Sequence, residues 1–315
     1  VIPQAGTEPA EQLLFRRGRQ RAFIKVQDGC RYRCAFCIVT RARGDERSRT
    51  LADIIDEINR VHAAGVNEVV LAGVHLGGYG SDQGTDLASL IEQVLARTDI
   101  PRLRLGSLEP WELQEDFWSL FANPRLMPHL HLPIQSGADS VLRRMARRCR
   151  TAEFRQLVER ARQAVPEFNV TTDVIVGFPG ETDAEWDQTV EFVDAMDFGH
   201  VHIFAYSPRS GTKAAGMPDQ IHRDLKRARS QQLHDIASRG SQRVMQRMLG
   251  QRCEVLFEHR APDDESQTAW LGYTPNYLRV EVDNSAGEDL ENQILGVELH
   301  GLAEGQARLR GVSIS

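Results

Sequence analysis

The sequence predicts an α/β protein in which an open, partial (β/α)6 barrel of the TIM type is followed by a small all-β barrel. Three observations predict it. Six apolar runs of strand length alternate with stretches of helical spacing through residues 22–221. The residues of unusual chemistry fall where those runs end, which in such a barrel is a single rim. Beyond residue 249 the rhythm changes to short alternating runs separated by polar turns.

The strand candidates are Ala22–Gln27, Glu68–Val74, Arg102–Leu108, His129–Gln135, Val170–Val176 and His200–Ser207. Between them, Leu51–Ala64 reads as a helix opened by a capping box of Thr50 and Asp53 and stopped by Gly65. Further helices are expected at Leu87–Arg97, Glu112–Phe121, Ala152–Ala164 and Ala184–Met196, the last with a second capping box of Thr182 and Glu185. Strands alternating with helices imply a parallel sheet with right-handed crossovers. A final helix, Arg223–Leu249, is long and mostly polar, with Leu225, Leu233, Ile236, Val244 and Met248 as a sparse apolar stripe. Five short runs follow: Arg252–Glu258, Thr268–Tyr273, Tyr277–Asp283, Gln293–His300 and Ala307–Val312, with turns such as Ala261-Pro262-Asp263-Asp264. The expected organisation is a lead-in from a preceding domain (1–21), the partial barrel (22–221), a connecting helix (222–249) and the β-barrel (250–315).

No apolar run approaches the roughly 18–20 residues that span a bilayer, and residues 1–21 lack the apolar segment of a secretory signal. No membrane partner and a cytoplasmic location are expected. The net charge of −6 is unevenly placed, since residues 250–315 carry five arginines against twelve acids. Arginines cluster elsewhere, at Arg16–Arg21, Arg41–Arg49 and Arg143–Arg150, and only three of the 38 basic residues are lysine. Arginine suits bidentate phosphate contacts, although a solvated arginine-rich face accounts for the clusters equally well.

Three of the five cysteines lie within eight residues, in Cys30-Arg-Tyr-Arg-Cys34-Ala-Phe-Cys37. A disulfide framework uses an even, dispersed set in a short secreted chain, so this cluster reads as metal binding in a reducing compartment. A structural zinc wants four ligands. Three thiolates fill three irons of a cubane cluster and leave the fourth open to an outside ligand. A zinc site completed by a distant histidine and a reactive thiol cluster are the alternatives.

The C-x3-C-x2-C spacing after the first strand, with Phe36 before the last cysteine, resembles the radical S-adenosylmethionine (SAM) superfamily. Further segments resemble its methylthiotransferases. They are Ala22–Cys30, Arg43–Arg49, Leu132-Pro133-Ile134-Gln135-Ser136-Gly137, Thr172–Thr182 with its Gly177-Phe178-Pro179-Gly180 turn, and Tyr206–Thr212. The C-terminal piece is similar to the TRAM domain, an RNA-binding barrel. Val74-His75-Leu76-Gly77-Gly78-Tyr79-Gly80 and Gly272–Tyr277 resemble the branch that acts on N6-threonylcarbamoyladenosine in tRNA.

The resemblance implies that Cys30, Cys34 and Cys37 hold a [4Fe–4S] cluster whose open iron binds SAM. It implies cofactor contacts from Phe36, Gly73, Ser107, Glu109, Gln135, Asp173, Val176 and Gly177. Arg147 and Arg209 are candidates to hold a substrate carboxylate or phosphate, and His75 is expected to be structural. The implied reaction adds a methylthio group to C2 of the modified adenosine beside the anticodon. A tRNA anticodon stem-loop is then the partner and a flavodoxin-like protein the electron donor. Isopentenyladenosine tRNA, a ribosomal protein, or plain RNA binding around a structural metal are the other outcomes.

Two departures stand out. Cys149 occupies a place where that family usually has tyrosine. Full methylthiotransferases also carry a preceding domain with three more cysteines and a second [4Fe–4S] cluster that supplies sulfur. With no initial Met and about 20 residues before the first strand, the sequence is expected to be part of a longer protein. This part alone is expected to cleave SAM but not to complete methylthiolation.

Overall fold

The structure, a computed structural model, describes residues 20–261, 268–284, 287–303 and 307–314. Residues 1–19 of the expected lead-in, with Arg16, Arg17 and Arg19, and the turn at 262–264 lie outside the described residues.

The first part is an incomplete parallel barrel. Its strands are β1 (Arg21–Asp28), the two-residue β2 (Arg47–Ser48), β3 (Glu68–Gly73), β4 (Arg102–Leu105), β5 (His129–His131), β6 (Asn169–Val176) and β7 (His200–Ala205). β1, β3 and β4 form one parallel ladder and β5, β6 and β7 another, while β2 pairs antiparallel with the end of β1. Single parallel bridges, Leu103 to Leu126 and Ser107 to His131, join the two ladders. The strands therefore follow one another around the barrel in chain order, as the right-handed crossover rule requires. Among the described residues no pairing closes β7 onto β1. Phe23 and Phe204 stand 57% and 53% exposed at that open seam.

The helices are α1 (Val39–Arg43), α2 (Leu51–Ala63), α3 (Leu87–Arg97), α4 (Asp139–Arg144), α5 (Thr151–Ala164), α6 (Asp183–Met196) and α7 (Arg223–Arg247). α2 forms because Thr50 accepts from the Asp53 amide and Ile54, Ile55, Ile58 and Val61 make one buried stripe. Ile54 and Ile58 are fully buried, each stabilising the barrel by about 1.5–3 kcal/mol. α6 carries the full capping box of Thr182 and Glu185.

Two expectations need correction. The segment Glu112–Phe121 is not an α-helix but two 3-10 stretches, Pro110–Glu112 and Glu115–Ala122. Leu113 and Gln114 between them are extended, because Glu112 is held at the rim by His75 and Tyr32. Leu225 is exposed rather than part of the stripe of α7. The short elements α1, β2 and α4 were not legible in the sequence pattern.

The second part is a closed barrel of β8 (Arg252–Arg260), β9 (Ala269–Tyr273), β10 (Arg279–Asp283), β11 (Ile294–Leu302) and β12 (Leu309–Ser313), in the order β10-β12-β11-β8-β9. Val255, Phe257, Trp270, Val280 and Leu299 fill it, joined by Val244, Met245 and Met248 from the end of α7. It sits on the N-terminal ends of the parallel strands. Arg102 donates to the carbonyls of Tyr273 and Glu254, Arg104 to that of Pro275, and Asn169 to that of Asn276. Tyr277, in a left-handed conformation with φ 67°, stacks on Tyr273 beneath Arg21 and Arg104. The segment Gly272–Tyr277 is thus the stopper at the lower mouth of the first barrel.

Candidate functional site

The cysteine loop leaves the C-terminal end of β1 and is fastened on several sides. The Cys30 amide donates to the Gly44 carbonyl at 3.2 Å, the Ala35 amide to that of Met145 at 2.8 Å, and the Ala214 amide to that of Ala35 at 2.8 Å. Ala35 and Phe36 pack into a small apolar cluster with Val141, Met145, Phe178 and Tyr206. Phe36, expected from the sequence beside the cofactor, has a packing role in this cluster. All three thiols are free and partly exposed. Burial pushes the Cys30 thiol up to about 11, with a smaller contribution from the neighbouring cysteines. Burial also raises Cys34, opposed by Arg147.

Hydrogen-bond donors converge on the sulfurs. The Tyr32 amide points at Cys30 Sγ and the Val39 amide at Cys37 Sγ, both at 3.4 Å. Arg147 reaches Cys34 Sγ at 3.8 Å. Such donors favour the anionic form of a ligand sulfur.

Arg147 is buried and makes a bidentate pair with Glu109, at 3.1 and 2.7 Å. It also donates to the Pro133 carbonyl and lies 4.5 Å over Trp111. Sequence reasoning offered Arg147 for a substrate anion. An ion pair was the equal alternative, and in the structure its guanidinium meets the Glu109 carboxylate. Arg209 is exposed in the loop after β7, in a turn closed by Thr212, and keeps its guanidinium at the surface.

A second network braces the loop from the β3 side. His75, buried, places Nδ1 against Glu46 and Nε2 against Glu112 at 2.6 Å, and Tyr32 donates to Glu112 at 2.6 Å. Burial pulls the His75 pKa down, but its hydrogen bonds and charge interactions with Glu112 and Glu46 outweigh that, and the net shift is upward. Two glycines of the Val74–Gly80 segment, Gly77 and Gly78, follow from this network. A Cβ at Gly77 would collide with the Glu112 carboxylate, and one at Gly78 would come within 2.6 Å of His75 Nδ1. Gln27, overlooked in the sequence, ties the rim together: it accepts from the His75 amide at 2.8 Å and donates to the carbonyls of Asp28 and Gly29. The space at Gly73 is taken by that Gln27 amide.

The remaining candidates ring the lumen or the rim. Gln135 is a non-glycine residue at φ 77° whose backbone still pairs with Asp173 and Ile175 of β6. Residues held in that region are strained and concentrate at ligand sites. Ser107 and Asp173 line a cavity of about 440 Å³ inside the barrel, together with His131, Thr171, His202 and Phe204. Val176 is buried under the Tyr206 amide. Gly177 needs its positive φ of 71°, and the chain approaching it is Lys226 of α7. The turn it begins is held by Glu181, which accepts from the Gly177 amide and pairs with Arg229, both buried. Cys149 is buried in the core.

The chain is similar to known proteins in sequence and in fold. The family model of the radical SAM superfamily matches residues 24–193, more than half of the chain. The chain belongs to the radical SAM superfamily. It is 38% identical over 273 residues to the threonylcarbamoyladenosine tRNA methylthiotransferase MtaB of Thermotoga maritima, covering 86% of this chain and 62% of that protein. It is 34% identical to the protein of the same name from Bacillus subtilis, with 89% and 62% covered. With the tRNA-2-methylthio-N(6)-dimethylallyladenosine synthase of Staphylococcus saprophyticus the identity is 37%, with 82% and 51% covered. The chain thus spans about three-fifths or less of the length of these relatives. Among solved structures, the methyltransferase TsrM of Kitasatospora setae shares the fold at TM-score 0.56 and 19% identity, covering 68% of this chain and 42% of that one. The coproporphyrinogen III oxidase HemN of Escherichia coli does so at TM-score 0.55 and 13% identity, covering 86% and 70%.

Superfamily membership calls for an iron–sulfur cluster and SAM, and the donor set fits. Three thiols on one braced loop, with backbone and guanidinium donors aimed at the sulfurs, make a three-ligand site at the C-terminal rim, where such barrels do chemistry.

Proposed function

We propose that the protein to which this chain belongs is a methylthiotransferase that modifies C2 of N6-threonylcarbamoyladenosine beside the anticodon of a tRNA. The observation that carries this reading is the braced three-cysteine loop on the rim of a chain 38% identical to MtaB of Thermotoga maritima. Cys30, Cys34 and Cys37 would hold the [4Fe–4S] cluster, which when bound with SAM supplies a 5′-deoxyadenosyl radical for hydrogen abstraction. The chain's own residues then have definable tasks. Arg147 steadies Cys34 and aims Glu109, whose carboxylate can accept from the SAM ammonium. Gln135, Ser107, Asp173, Gly73, Val176, Gly177 and Phe36 would contribute to seating its nucleoside and amino-acid groups, a reading supported for Ser107 and Asp173 by their place on the barrel cavity.

The substrate base must leave its stack to reach the rim, as single-stranded loop recognition allows. Exposed arginines on the loops around the cysteines, Arg33, Arg41, Arg47, Arg148 and Arg209, suit the phosphates of an anticodon stem-loop. The acidic second barrel supplies fewer such contacts, so most of the RNA affinity is assigned to the first. A second [4Fe–4S] cluster in a preceding domain would supply the sulfur, and an external flavodoxin-like donor the electrons.

The test has two stages. Anaerobic reconstitution should give a reduced [4Fe–4S]⁺ EPR signal that changes on adding SAM, with 5′-deoxyadenosine formed. Substituting serine for any of Cys30, Cys34 or Cys37 should abolish both. A cluster indifferent to SAM would remove the proposal. Mass spectrometry of tRNA nucleosides from cells lacking the gene then decides the substrate. Loss of the methylthio group from threonylcarbamoyladenosine supports it, and loss from isopentenyladenosine instead transfers the activity to the dimethylallyladenosine synthases, which are similar to this chain at comparable identity.

A further inference from the structure

Inside the barrel, away from the cysteines, three side chains from three adjacent parallel strands converge. His131 ends β5, Asp173 lies in β6 and His202 in β7. Asp173 and His202 are direct register partners, and His131 is the partner of Thr171, two residues before Asp173. Since strand side chains alternate with a period of two, this register turns all three to the same face, the lumen. One ligand atom from each lies within 4.8 Å of the others.

The contacts among them are uneven in an informative way. His131 Nε2 lies 3.1 Å from Asp173 Oδ1, while its Nδ1 lies 3.0 Å from the hydroxyl of Thr171. That hydroxyl also meets His129 Nε2 at 3.0 Å. An aspartate–histidine ion pair accounts for His131 and Asp173 but leaves His202 without a task. The His202 ring has only edge contacts, 4.5 Å from His200 and 5.3 Å from His131, and a stack on Phe204. No hydrogen bond holds it among the described residues.

We propose that His131, Asp173 and His202 form a binding site for a divalent first-row transition ion, open on one side to the 440 Å³ cavity. Two imidazoles and one carboxylate are the donor set that zinc and non-haem iron accept, and three protein ligands leave positions free for an incoming oxygen ligand. His131 Nε2 and Asp173 Oδ1, 3.1 Å apart, span one edge of a polyhedron whose metal–ligand bonds are about 2.1 Å, and a His202 nitrogen within 4.8 Å of both closes on it by a small ring movement. Thr171 then serves as the outer partner that fixes the ring orientation of a ligating histidine. The site contains no thiolate and takes a harder ion than the cysteine loop does.

The test uses the full chain with Cys30, Cys34 and Cys37 all replaced by serine, so that the thiolates cannot compete, prepared metal-free and titrated with Co²⁺ as the probe. One Co²⁺ per chain should bind with visible ligand-field absorption and without thiolate charge-transfer bands, and Zn²⁺ should displace it. His202→Ala or Asp173→Asn should abolish binding, and Thr171→Val should weaken it about 10- to 100-fold. His202 is exposed on an outer strand, so His202→Ala retains the fold, which thermal melting by circular dichroism checks. Failure of the triple-serine protein to bind Co²⁺ stoichiometrically overturns the proposal. So does binding that survives His202→Ala and Asp173→Asn together.

Discussion

Replacing Arg147 by alanine tests whether the rim is held by a buried ion pair. The Arg147 side chain is 3% exposed and that of Glu109 22%. Removing one partner of a buried pair costs about 3–5 kcal/mol, because the remaining charge is left uncompensated. Glu109 retains some access to water, so the lower end applies, about 3 kcal/mol. The bond to the Pro133 carbonyl and the stack on Trp111 go with the same side chain and are included in that figure. For a domain of roughly 200 residues each kcal/mol moves the melting midpoint by about 2–4 °C, so Arg147→Ala should lower it by about 6–12 °C. The measurement is urea and thermal unfolding of the reduced, cluster-free protein, followed by far-UV circular dichroism and tryptophan fluorescence. Glu109→Gln and the double variant complete a cycle. A coupling energy above about 1.5 kcal/mol is expected for groups in direct contact. A single-variant loss below about 1 kcal/mol, or additive single effects, would refute the argument that Glu109 is aimed by Arg147.

Two other predictions follow from the network on the β3 side. His75 has its pKa raised in the folded protein, so its stabilising contribution is complete below the ordinary value of about 6.5 and is lost as pH rises through the higher folded value. Urea midpoints should therefore fall on the alkaline side for the native chain, and His75→Gln should remove that part of the slope. Gly77→Ala should cost about 1–3 kcal/mol by driving the Glu112 carboxylate away from His75 and Tyr32, whereas Gly84→Ala, with open space around its Cβ position, should cost only the strain of its positive φ.

Much of the fold was legible because it is written locally. The six parallel strands and five later ones show themselves as apolar runs, and the caps at Thr50 and Thr182 need only residues three apart. The cysteines were legible for the same reason, since their spacing lies within one loop. What the sequence hid is pairing across long separations. Nothing near Arg147 announces Glu109, 38 residues away, and nothing near His75 announces Glu46 and Glu112. Local pattern also misread Glu112–Phe121, whose helical spacing is real but whose first residue is committed elsewhere. At Gly177 the sequence suggested a ligand's approach, and the structure places Lys226 of the chain itself there.

Under the proposed function, the position of the second barrel constrains how a tRNA would meet the first. Arg102, Arg104 and Asn169 fasten it to the N-terminal ends of the parallel strands, and Tyr277 fills the lower mouth. The cysteine loop lies at the other end of β1, eight residues along, or roughly 26 Å at about 3.3 Å per residue. A base delivered to the rim therefore cannot enter through the lower mouth. It must come over the arginine-lined loops or through the seam between β7 and β1, where Phe23 and Phe204 are exposed. Charge reversal at Arg148 or Arg209 should then weaken stem-loop binding more than charge reversal at Arg252 or Arg310 on the second barrel, and it should lower the salt dependence by about one phosphate contact per arginine. Equal losses at both places would mean that the second barrel, despite its acidic balance, holds its share of the RNA.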